Sequence, residues 1–408
     1  MKNEWQKKTI RELATVSRGA SPRPIASSRW FDMQGDIGWV RIADVNRSNG
    51  RELTHTTQKL SRDGVIRSRY LEPGSLILSI AASVGIPAIT TIPTCIHDGF
   101  VSLTNLKIDK KFLFYLLKEN RNRLLEGGQS GSQTNVNSDI VRQLDLWVPS
   151  SEDEQKCIAS VLWSVDNLID LLMLKVEKKR AIQQGLMQEL LTGKTRLSGF
   201  TREWISIPVA KLSHIKARIG WQGLTTSEYL ESGTYRLVGG TDFLEDGSID
   251  WAVVPFVSKW RYSQDLNIQL RSNDVLITKD GTIGKVAIVN ELPHPTTLNS
   301  GVYVIRPKGN AYDPRFMFWM LKSSAFDTFI NSLSAGSTIN HLYQKDLVSL
   351  SFMVPKDLAE QKAIANVMDA TQDEISILEK QLESTKAIKQ GMMQELLSGR
   401  TCLLKEKQ

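Results

Sequence analysis

Cysteine and long apolar runs are scarce in this chain of 408 residues. Its three cysteines, Cys95, Cys157 and Cys402, show no CxxC spacing and no neighbouring cluster of histidines. Such cysteines are typical of reduced, structural thiols rather than of disulfides or metal ligands. No run approaches the roughly 20 apolar residues that a membrane helix needs, and the N-terminal segment lacks the apolar core of a signal peptide. We therefore expect a cytoplasmic protein without a membrane segment.

Recognisable catalytic motifs are also missing. The segment from Gly281 to Lys285 resembles a phosphate-binding loop, but its glycine spacing is wrong and Val286 stands where Ser or Thr is required. The five histidines never fall at metal-ligand spacing, and no glycine-rich dinucleotide loop or nucleophile elbow is found. We predict that this chain alone is not an enzyme, that it has no catalytic residues, and that it binds no metal and no cofactor.

The composition is that of a folded protein with a positive charge bias. Apolar residues make up 41% of the chain and charged residues 23%, which is typical of globular rather than disordered proteins. A chain of this length needs at least two cores. The net charge is +7, and residues 1–150 alone carry 21 Lys and Arg against 14 Asp and Glu. This excess is compatible with a polyanionic partner without requiring one.

The most informative feature that is present is an internal repeat. Residues 154–197 and residues 360–403 align without a gap at an offset of 206, and 21 of the 44 positions are identical. Each copy follows a longer and less similar segment. The pattern therefore predicts a pseudo-symmetric molecule with two heads, each followed by a duplicated helical segment.

Each copy of the repeat has the apolar spacing of a coiled-coil helix. The apolar positions recur at alternating intervals of four and three residues, which places them along one narrow stripe. Two such helices, joined through a whole domain, can run antiparallel and pack stripe against stripe. Gly193 and Gly399 are predicted to end the helices, and Ser150 or Ser151 to cap the first. The predicted seam consists of Ile158, Leu162, Val165, Ile169, Leu172, Val176, Ile364, Met368, Thr371, Ile375, Leu378 and Leu382.

The two segments that precede the helices show a weaker kinship. The run from Leu76 to Ser79 aligns with Val275 to Thr278, and the run from Phe112 to Leu117 aligns with Phe316 to Leu321. Short β-rich runs and one helix near residues 110–125 or 314–330 predict two α+β domains. The halves agree at framework positions and differ in the polar stretches between them. Two related scaffolds are therefore expected to recognise two different targets.

This order of head, long helix, head, long helix resembles the specificity subunit of type I restriction-modification enzymes. The resemblance covers nearly the whole chain, although Trp163, Asp166 and Asn167 interrupt an ideal seam. The stretches that carry it are Glu154-Gln155-Lys156 and Glu360-Gln361-Lys362, Gly185 to Gly193 and its repeat, Gly38 to Val45, and Gly336 to Leu342.

The resemblance implies two pseudo-repeated α+β target recognition domains separated by two long antiparallel coiled-coil helices. The expected boundaries are residues 1–150 and 199–355 for the recognition domains, and 151–198 and 356–408 for the helical spacers. It also implies a non-catalytic subunit that binds a bipartite, asymmetric site on double-stranded DNA. Two modification (methyltransferase) subunits and restriction or translocase subunits are the implied partners. S-adenosylmethionine, ATP and Mg would belong to those partners rather than to this chain.

Two other functions stay open from the sequence. The same module would fit a methyltransferase-only or other phage-defence complex without cleavage. A different class is a coiled-coil scaffold whose heads bind protein or RNA, and competition by duplex DNA would separate that class from a DNA-reading subunit.

Side chains suited to DNA contact fall in polar loops and in surface segments rich in Gly, Pro and Ser. Base edges are read by Arg, Asn and Gln, whereas Arg and Lys also contact phosphate. Arg41 and Arg236 precede Asp44 and Asp242, so internal ion pairs compete with DNA contact there. The candidates in the first head are Arg18, Arg23, Arg29, Arg41, Arg47, Gln129, Ser130, Gln133, Asn135 and Asn137. The candidates in the second head are Arg218, Gln222, Arg236, Lys259, Arg261, Lys279, Lys285, Ser337, Asn340 and His341.

Overall fold

Two units make up the chain, and each combines one head with parts of both long helices. The structure is a computed structural model that describes residues 5–48, 50–127, 136–219, 223–333 and 341–403. The first unit is formed by Met1–Leu174 with Glu379–Gln408, and the second by Lys175–Leu378. The boundaries between the two units fall within the long helices. The boundaries expected from the sequence lie instead at the ends of these helices.

The first head opens and closes on two strands that pair antiparallel, β1 and β11. Its strands are β1 (Trp5–Thr9), β2 (Thr15–Arg18), β3 (Ile37–Val40), β4 (Glu52–Leu53), β5 (Gln58–Leu60), β6 (Arg69–Leu71), β7 (Leu76–Ser79), β8 (Pro87–Thr90), β9 (Thr94–Ile96), β10 (Phe100–Thr104) and β11 (Asp145–Pro149). Its helices are α1 (Ile10–Leu13), α2 (Ile42–Arg47), α3 (Arg62–Ile66), α4 (Lys110–Glu119), α5 (Arg121–Glu126) and α6 (Ser138–Gln143).

Two further sheets form the body of this head. One has the order β2-β10-β7-β8-β4 and the other the order β5-β3-β9-β6. The pairs β3–β9 and β4–β8 are parallel, which requires crossover connections. Helix α4 buries the whole run from Phe112 to Leu117. This run shares one hydrophobic core with Ile158 and Leu162 of the first long helix and Met393 of the second.

The second head repeats this framework. Its strands are β12 (Trp204–Pro208), β13 (Ser213–Ala217), β14 (Tyr235–Val238), β15 (Phe256–Val257), β16 (Val275–Thr278), β17 (Val286–Ile288), β18 (Thr296–Leu298), β19 (Val302–Pro307) and β20 (Ser351–Pro355). Its helices are α8 (Val209–Leu212), α9 (Lys259–Ser263), α10 (Pro314–Leu321) and α11 (Ser324–Leu333). The long helix α7 (Glu152–Leu190) precedes this head, and α12 (Leu358–Leu396) follows it.

The sheet topology confirms that the heads are pseudo-repeats. The pair β12–β20 corresponds to β1–β11, and the order β13-β19-β16-β17 corresponds to β2-β10-β7-β8. The parallel pair β14–β18 matches β3–β9. The single helix predicted in each head is two consecutive helices, α4 and α5 or α10 and α11. The predicted α+β class is therefore confirmed for both heads.

The long helices are antiparallel within each unit. In the first unit, Asp166 of α7 pairs with Lys389 of α12. In the second unit, Gln183 bonds Gln372 and Lys179 pairs with Glu374, so the α12 partner number falls as the α7 number rises. Ser151 caps α7 by accepting a hydrogen bond from the N–H of Glu154 at 3.3 Å. Gly193 and Gly399 follow shortly after the ends of the two helices, as predicted. Their φ angles of 71° and 68° are left-handed.

Most of the predicted seam is buried. Four of its positions are only partly buried, namely Val165, Thr371, Leu378 and Leu382. Further along the helices, Ile182 is 43% and Ile388 57% exposed. A strict seven-residue repeat drifts by about 20° per heptad on a straight α-helix. Such a drift accounts for exposed apolar positions in the middle of each copy, whereas Leu190 and Leu396 near the helix ends are buried again. The buried seam residues are Ile158, Leu162, Ile169, Leu172, Val176, Ile364, Met368 and Ile375.

Helix α7 has an unusual apolar stretch. Of the helices in the described residues, it alone is long and apolar enough to cross a membrane, and 33% of that stretch is buried in the protein. A core helix of a folded protein meets the same criterion. Leu162 of α7 lies in the core of the first unit, so part of this apolar character is explained by packing.

Candidate nucleic-acid interface

One strand-to-strand turn is built in the same way in both heads. It joins β7 to β8 in the first head and β16 to β17 in the second. The hydroxyl oxygen of Ser79 accepts a hydrogen bond from the N–H of Ile86 at 2.9 Å. The hydroxyl oxygen of Thr278 accepts one from the N–H of Lys285, also at 2.9 Å. The segment that resembled a phosphate-binding loop is thus a framework turn.

The chain that returns from each predicted polar loop runs beside this turn. In the first head, the N–H of Val136 donates to the carbonyl of Ile80 at 2.9 Å. In the second, the N–H of Leu342 donates to the carbonyl of Lys279 at 2.8 Å. A rigid framework that brings two variable segments to one edge is the usual construction of a recognition surface.

The outward side chains at this edge differ between the heads. In the second head, Asp280 contacts Nδ1 of His341, whose ring lies 4.5 Å from that of Tyr343. The ammonium of Lys279 lies 5.5 Å from the ring of Tyr303. In the first head, the position of Asp280 is taken by Ala81. The structure thus brings the predicted residues Lys279 and His341 to one edge, and their contact with DNA stays a prediction.

A cluster of arginines surrounds Asp98 in the first head, and we call it the Asp98 cluster. Arg18 donates from Nε to the carbonyl of Asp98 at 2.9 Å, and Arg23 lies 3.4 Å from the Asp98 carboxylate. Arg69 donates to the carbonyl of Arg18 at 2.6 Å. All three arginines are exposed. Of the three guanidinium groups, that of Arg23 faces the Asp98 carboxylate, whereas those of Arg18 and Arg69 bond main-chain carbonyls. The group therefore leaves a positive surface suited to phosphate.

Arg69 was not among the sequence candidates. It lies in β6, within a run that also contains Arg62 and Arg67. That local density of arginine was the available signal. A hydrogen bond from Ser21, reinforced by Arg23, lowers the pKa of Asp98, so the carboxylate remains ionised inside the cluster.

His97 adjoins this cluster, and we expect it to make the stability of the first head depend on pH. Burial and the nearby Arg41 lower the pKa of His97, against a smaller opposite effect of Asp98. Its Nδ1 accepts a hydrogen bond from the N–H of Gly99 at 2.9 Å, which requires an unprotonated Nδ1. The folded state therefore favours neutral His97. We expect its contribution to stability to be complete above pH of about 6.5 and to be lost as pH falls from there towards the lowered pKa.

The measurement is the urea unfolding midpoint between pH 5 and pH 8. His97→Asn keeps an acceptor but cannot titrate, so the variant should lose this part of the pH dependence. His55→Asn, at an exposed histidine of the same head, is the matched control and should keep it. Equal pH profiles for the wild type and His97→Asn would contradict the assignment.

Three other arginines of the first head lie on its surface. The guanidinium of Arg29 is 3.8 Å from the ring centre of Trp30, and Arg47 borders a small cavity. Arg41 lies 3.5 Å from the amide oxygen of Gln58. The structure leaves all three exposed, so each stays a candidate.

The internal ion pairs considered for Arg41 and Arg236 are not formed. The Asp44 carboxylate accepts the backbone N–H of Arg41 at 2.9 Å rather than its side chain. The Asp242 carboxylate accepts the N–H of Gly239 at 2.8 Å. Arg236 instead donates to the carbonyl of Val254 at 3.0 Å. The expected ion pairs are therefore wrong, because each carboxylate accepts a backbone N–H in the turn that follows a strand.

Two predicted surface arginines of the second head have structural roles. Arg218 is 1% exposed and donates to the carbonyl of Leu298 at 2.8 Å and to the side chain of Gln264 at 2.9 Å. Arg261 binds the carboxylate of Glu228, with Nε 2.7 Å from its oxygen. Their placement in free surface segments was wrong. Arg218 follows β13 and is buried, and Arg261 is half-buried on α9. A guanidinium that is withdrawn from water needs internal acceptors.

Of the other candidates within the described residues, some are exposed and one has a structural role. Lys259 and Lys285 are exposed, and Lys259 stands beside Trp260, which is 66% exposed. Asn137 caps α6, because its side-chain oxygen accepts the N–H groups of Asp139 and Ile140. Outside the described residues lie Gln129, Ser130, Gln133, Asn135, Gln222, Ser337 and Asn340.

The described residues contain no group of three or more His, Cys, Asp and Glu side chains placed to hold a metal ion. Burial raises the pKa of Cys95 to about 11, so this thiol stays protonated near neutral pH. A protonated, buried thiol is not a nucleophile.

Two related α+β heads on a duplicated helical spacer, each with its own edge residues, define a two-headed recognition subunit. The family described as type I restriction modification DNA specificity domain matches residues 2–180 and 222–387. The chain belongs to this family. The predicted specificity subunit, with two recognition domains and no catalytic role of its own, is thereby confirmed.

Named relatives agree with this assignment. The chain is 25% identical over 322 residues to the type I restriction enzyme MjaVIII specificity subunit of Methanocaldococcus jannaschii, covering 74% of each chain. It is 20% identical to the EcoBI specificity subunit of Escherichia coli over 97% of this chain and 85% of the relative. The S subunit of a type I restriction-modification system from M. genitalium has the same fold, with a TM-score of 0.66, 16% identity and 96% coverage of both chains.

Proposed function

We propose that each head reads one half of a bipartite, asymmetric site on double-stranded DNA. The observation that carries this proposal is the shared turn, which has the same hydrogen bonds in both heads but different outward residues. One head offers Ala81, Ala82 and Ser83 where the other offers Asp280, Gly281 and Thr282. Equivalent surfaces with different donors and acceptors would read unlike base sequences.

The spacer helices would dock the other subunits of the complex. Helix α7 exposes an apolar group formed by Leu168, Leu171, Met173 and Leu174, which are 47–61% exposed. Exposed apolar patches of this kind mark interaction sites. We propose two modification subunits, which bring S-adenosylmethionine for adenine methylation, and restriction subunits, which bring ATP hydrolysis, Mg and cleavage. The assembled complex would act in the cytoplasm.

Co-expression with its modification subunit, followed by genome-wide mapping of methylated adenines, tests the proposed function. We expect a motif of two short, unlike halves separated by a fixed unread gap. Exchanging residues 279–285 for the aligned residues 80–86 should alter one half of the motif and leave the other half unchanged. A contiguous motif, or a change in both halves, would contradict one head for each half.

The Asp98 cluster should supply phosphate contacts. Removing Arg18 and Arg23 together is expected to weaken binding to all duplex sequences. If both contact phosphate, the slope of log K against log salt should flatten by about 1.8, since each neutralised phosphate contributes about 0.9. Fluorescence anisotropy with one duplex at several salt concentrations measures this slope.

The matched control removes two exposed lysines of the spacer, Lys175 and Lys178, and therefore changes the net charge equally. The control should keep the wild-type slope. An unchanged slope in the Arg18→Ala/Arg23→Ala variant would exclude this patch from the DNA interface.

A further inference from the structure

A short helix follows an equivalent strand in both heads. Helix α3 begins two residues after β5, and α9 begins two residues after β15. These strands pair antiparallel with β3 and β14, which correspond to one another. Both helices have the same cap, because the hydroxyl oxygen of Ser61 accepts the N–H of Gly64 at 3.2 Å and that of Ser258 accepts the N–H of Arg261 at 3.3 Å. The two helices are therefore the same element of the framework.

Each short helix carries a large apolar side chain that lies in solvent. Ile66 of α3 is 80% exposed, and Trp260 of α9 is 66% exposed. Single exposed apolar residues are common on protein surfaces, but each of these two has an exposed cation on the same helix, Arg62 or Lys259. The two side chains differ in type and in position along the helix. An equivalent helix with unlike exposed side chains repeats the pattern of the shared turn.

In the first head, hydrogen bonds connect α3 with the shared turn. The N–H of Ile80 in the turn donates to the carbonyl of Gly99 at 2.8 Å, and the carbonyl of the preceding Asp98 accepts from Arg18 at 2.9 Å. Arg69, three residues beyond α3, donates to the carbonyl of Arg18 at 2.6 Å. The Asp98 cluster therefore lies between the turn and the short helix.

In the second head, a buried arginine makes the corresponding connection. The N–H of Lys279 in the turn donates to the carbonyl of Gly301 at 2.9 Å. The carbonyl of Leu298, three residues earlier, accepts from Arg218 at 2.8 Å. Arg218 also donates at 2.9 Å to the side chain of Gln264, the residue directly after α9. Its burial has a reason, since this guanidinium holds α9 beside the chain that leads to the turn.

Helix α3 is also tied at both ends to the segment of residues 18–30. The hydroxyl of Ser61, before the helix, donates to the carbonyl of Arg29 at 2.7 Å. The hydroxyl of Ser68, after the helix, donates to the carbonyl of Ala20 at 2.8 Å. The side chains of the two segments therefore share one surface.

That surface is strongly basic. Residues 18–30 and 61–70 together contain six arginines and one acidic residue, Asp63. The Asp98 carboxylate also lies here and faces Arg23. An apolar side chain among so many cations is complementary to a polyanion that also offers apolar groups. Duplex DNA has both, because thymine carries a methyl group in the major groove.

We propose that α3 and α9 form a second recognition element in each head, in which Ile66 or Trp260 packs against the methyl group of a thymine. Apolar side chains distinguish thymine by this methyl group. The arginines around α3, and Lys259 beside Trp260, would bind the neighbouring phosphates. The inference rests on the proposed function and adds a base contact to each half of the site.

Methylation mapping with the full chain and its modification subunit tests the proposal. Ile66→Ala should make one A·T position of one half-motif degenerate and leave the other half unchanged. Trp260→Ala should relax a position in the other half only, so each variant is the control for the other. Both side chains are exposed, and the urea unfolding midpoints should equal that of the wild type.

Replacing thymine by deoxyuridine isolates the methyl contact. In duplexes that carry the mapped motif, each thymine is replaced in turn, and the affinity of the complex is measured by fluorescence anisotropy. Loss of one methyl contact should weaken wild-type binding by about fourfold at one position, and Ile66→Ala should not respond to that replacement. Trp147→Ala, at a residue of β11 that is 53% exposed in the same head, should respond as the wild type does.

Three results would contradict the inference. A bipartite wild-type motif that neither variant alters would overturn the second recognition element and leave the proposed function in place. So would weaker binding of Ile66→Ala to every duplex with an unchanged response to deoxyuridine, because the side chain would then contact only the DNA backbone. A contiguous wild-type motif would overturn the proposed function and this inference with it.

Discussion

Replacing Asp166 by alanine should destabilise the first unit by about 3–5 kcal/mol, because one buried carboxylate joins three elements. Asp166 lies on α7 and is 7% exposed. One of its oxygens accepts the hydroxyl of Tyr115 from the head at 2.6 Å. The other lies 2.6 Å from the ammonium of Lys389 on α12. Without the carboxylate, Lys389 would be a buried cation beside Lys118.

The free energy of unfolding from urea titration measures this loss. Asp153→Ala, at an exposed position in the first turn of the same helix, is the control and should cost less than about 1 kcal/mol. Replacing Lys389 by methionine in the Asp166→Ala background should recover much of the loss, because no unpaired charge then remains. A loss below about 1 kcal/mol for Asp166→Ala would show that the three-way contact is not stabilising.

The two heads are fixed to the helices by different residues at shifted positions. In the second unit, Trp319 donates its ring N–H to Asp369 at 2.7 Å, and Arg315 lies 3.0 Å from the same carboxylate. Trp319 aligns with Tyr115, but Asp369 aligns with Trp163 rather than with Asp166. The acidic anchor has therefore moved by about one helical turn between the copies. This explains why Trp163, Asp166 and Asn167 interrupt the seam: they bind the head instead.

The helical part of the fold was predictable because its signal is periodic and duplicated. Apolar spacing, the glycine ends and the Ser151 cap all depend on local sequence, and the structure agrees with each of them. The topology of the heads was less accessible. The parallel pairs β3–β9 and β14–β18 join segments far apart in the chain, and short strands carry little information about their partners.

The exposure of the candidate residues was predicted less well, since exposure of an arginine is set by tertiary packing. Arg218 stands one residue beyond β13, and only the fold shows that the chain turns it inward to the carbonyl of Leu298. Arg69 was missed because its neighbour in space, Arg18, is distant in sequence. Turn residues such as Lys279 were predictable, because a turn between two buried strands must reach the surface.

The second prediction with a large effect concerns a contact that only one copy of the repeat makes. In the second unit, the buried Glu360 receives a two-pronged hydrogen bond from Arg196, with distances of 2.8 and 2.6 Å. Its counterpart Glu154 is buried as well, but its Oε1 has no hydrogen-bond partner among the described residues. The position that corresponds to Arg196 is Cys402, which cannot supply a guanidinium. Identical glutamates therefore occupy unequal environments.

We expect Glu360→Gln to lower the free energy of unfolding by about 2 kcal/mol, since a charged hydrogen bond of a buried group contributes about 1.5–3 kcal/mol. The matched variant Glu154→Gln removes no ion pair and should change stability by less than about 0.5 kcal/mol. Arg196→Ala should be more damaging than Glu360→Gln, because it leaves the buried carboxylate of Glu360 without a counter-charge. Urea titration of the three variants measures their free energies of unfolding and so gives the order of the three losses. Equal losses for the two glutamate variants would mean that Arg196 contributes nothing and that the repeat is symmetric in energy as well as in sequence.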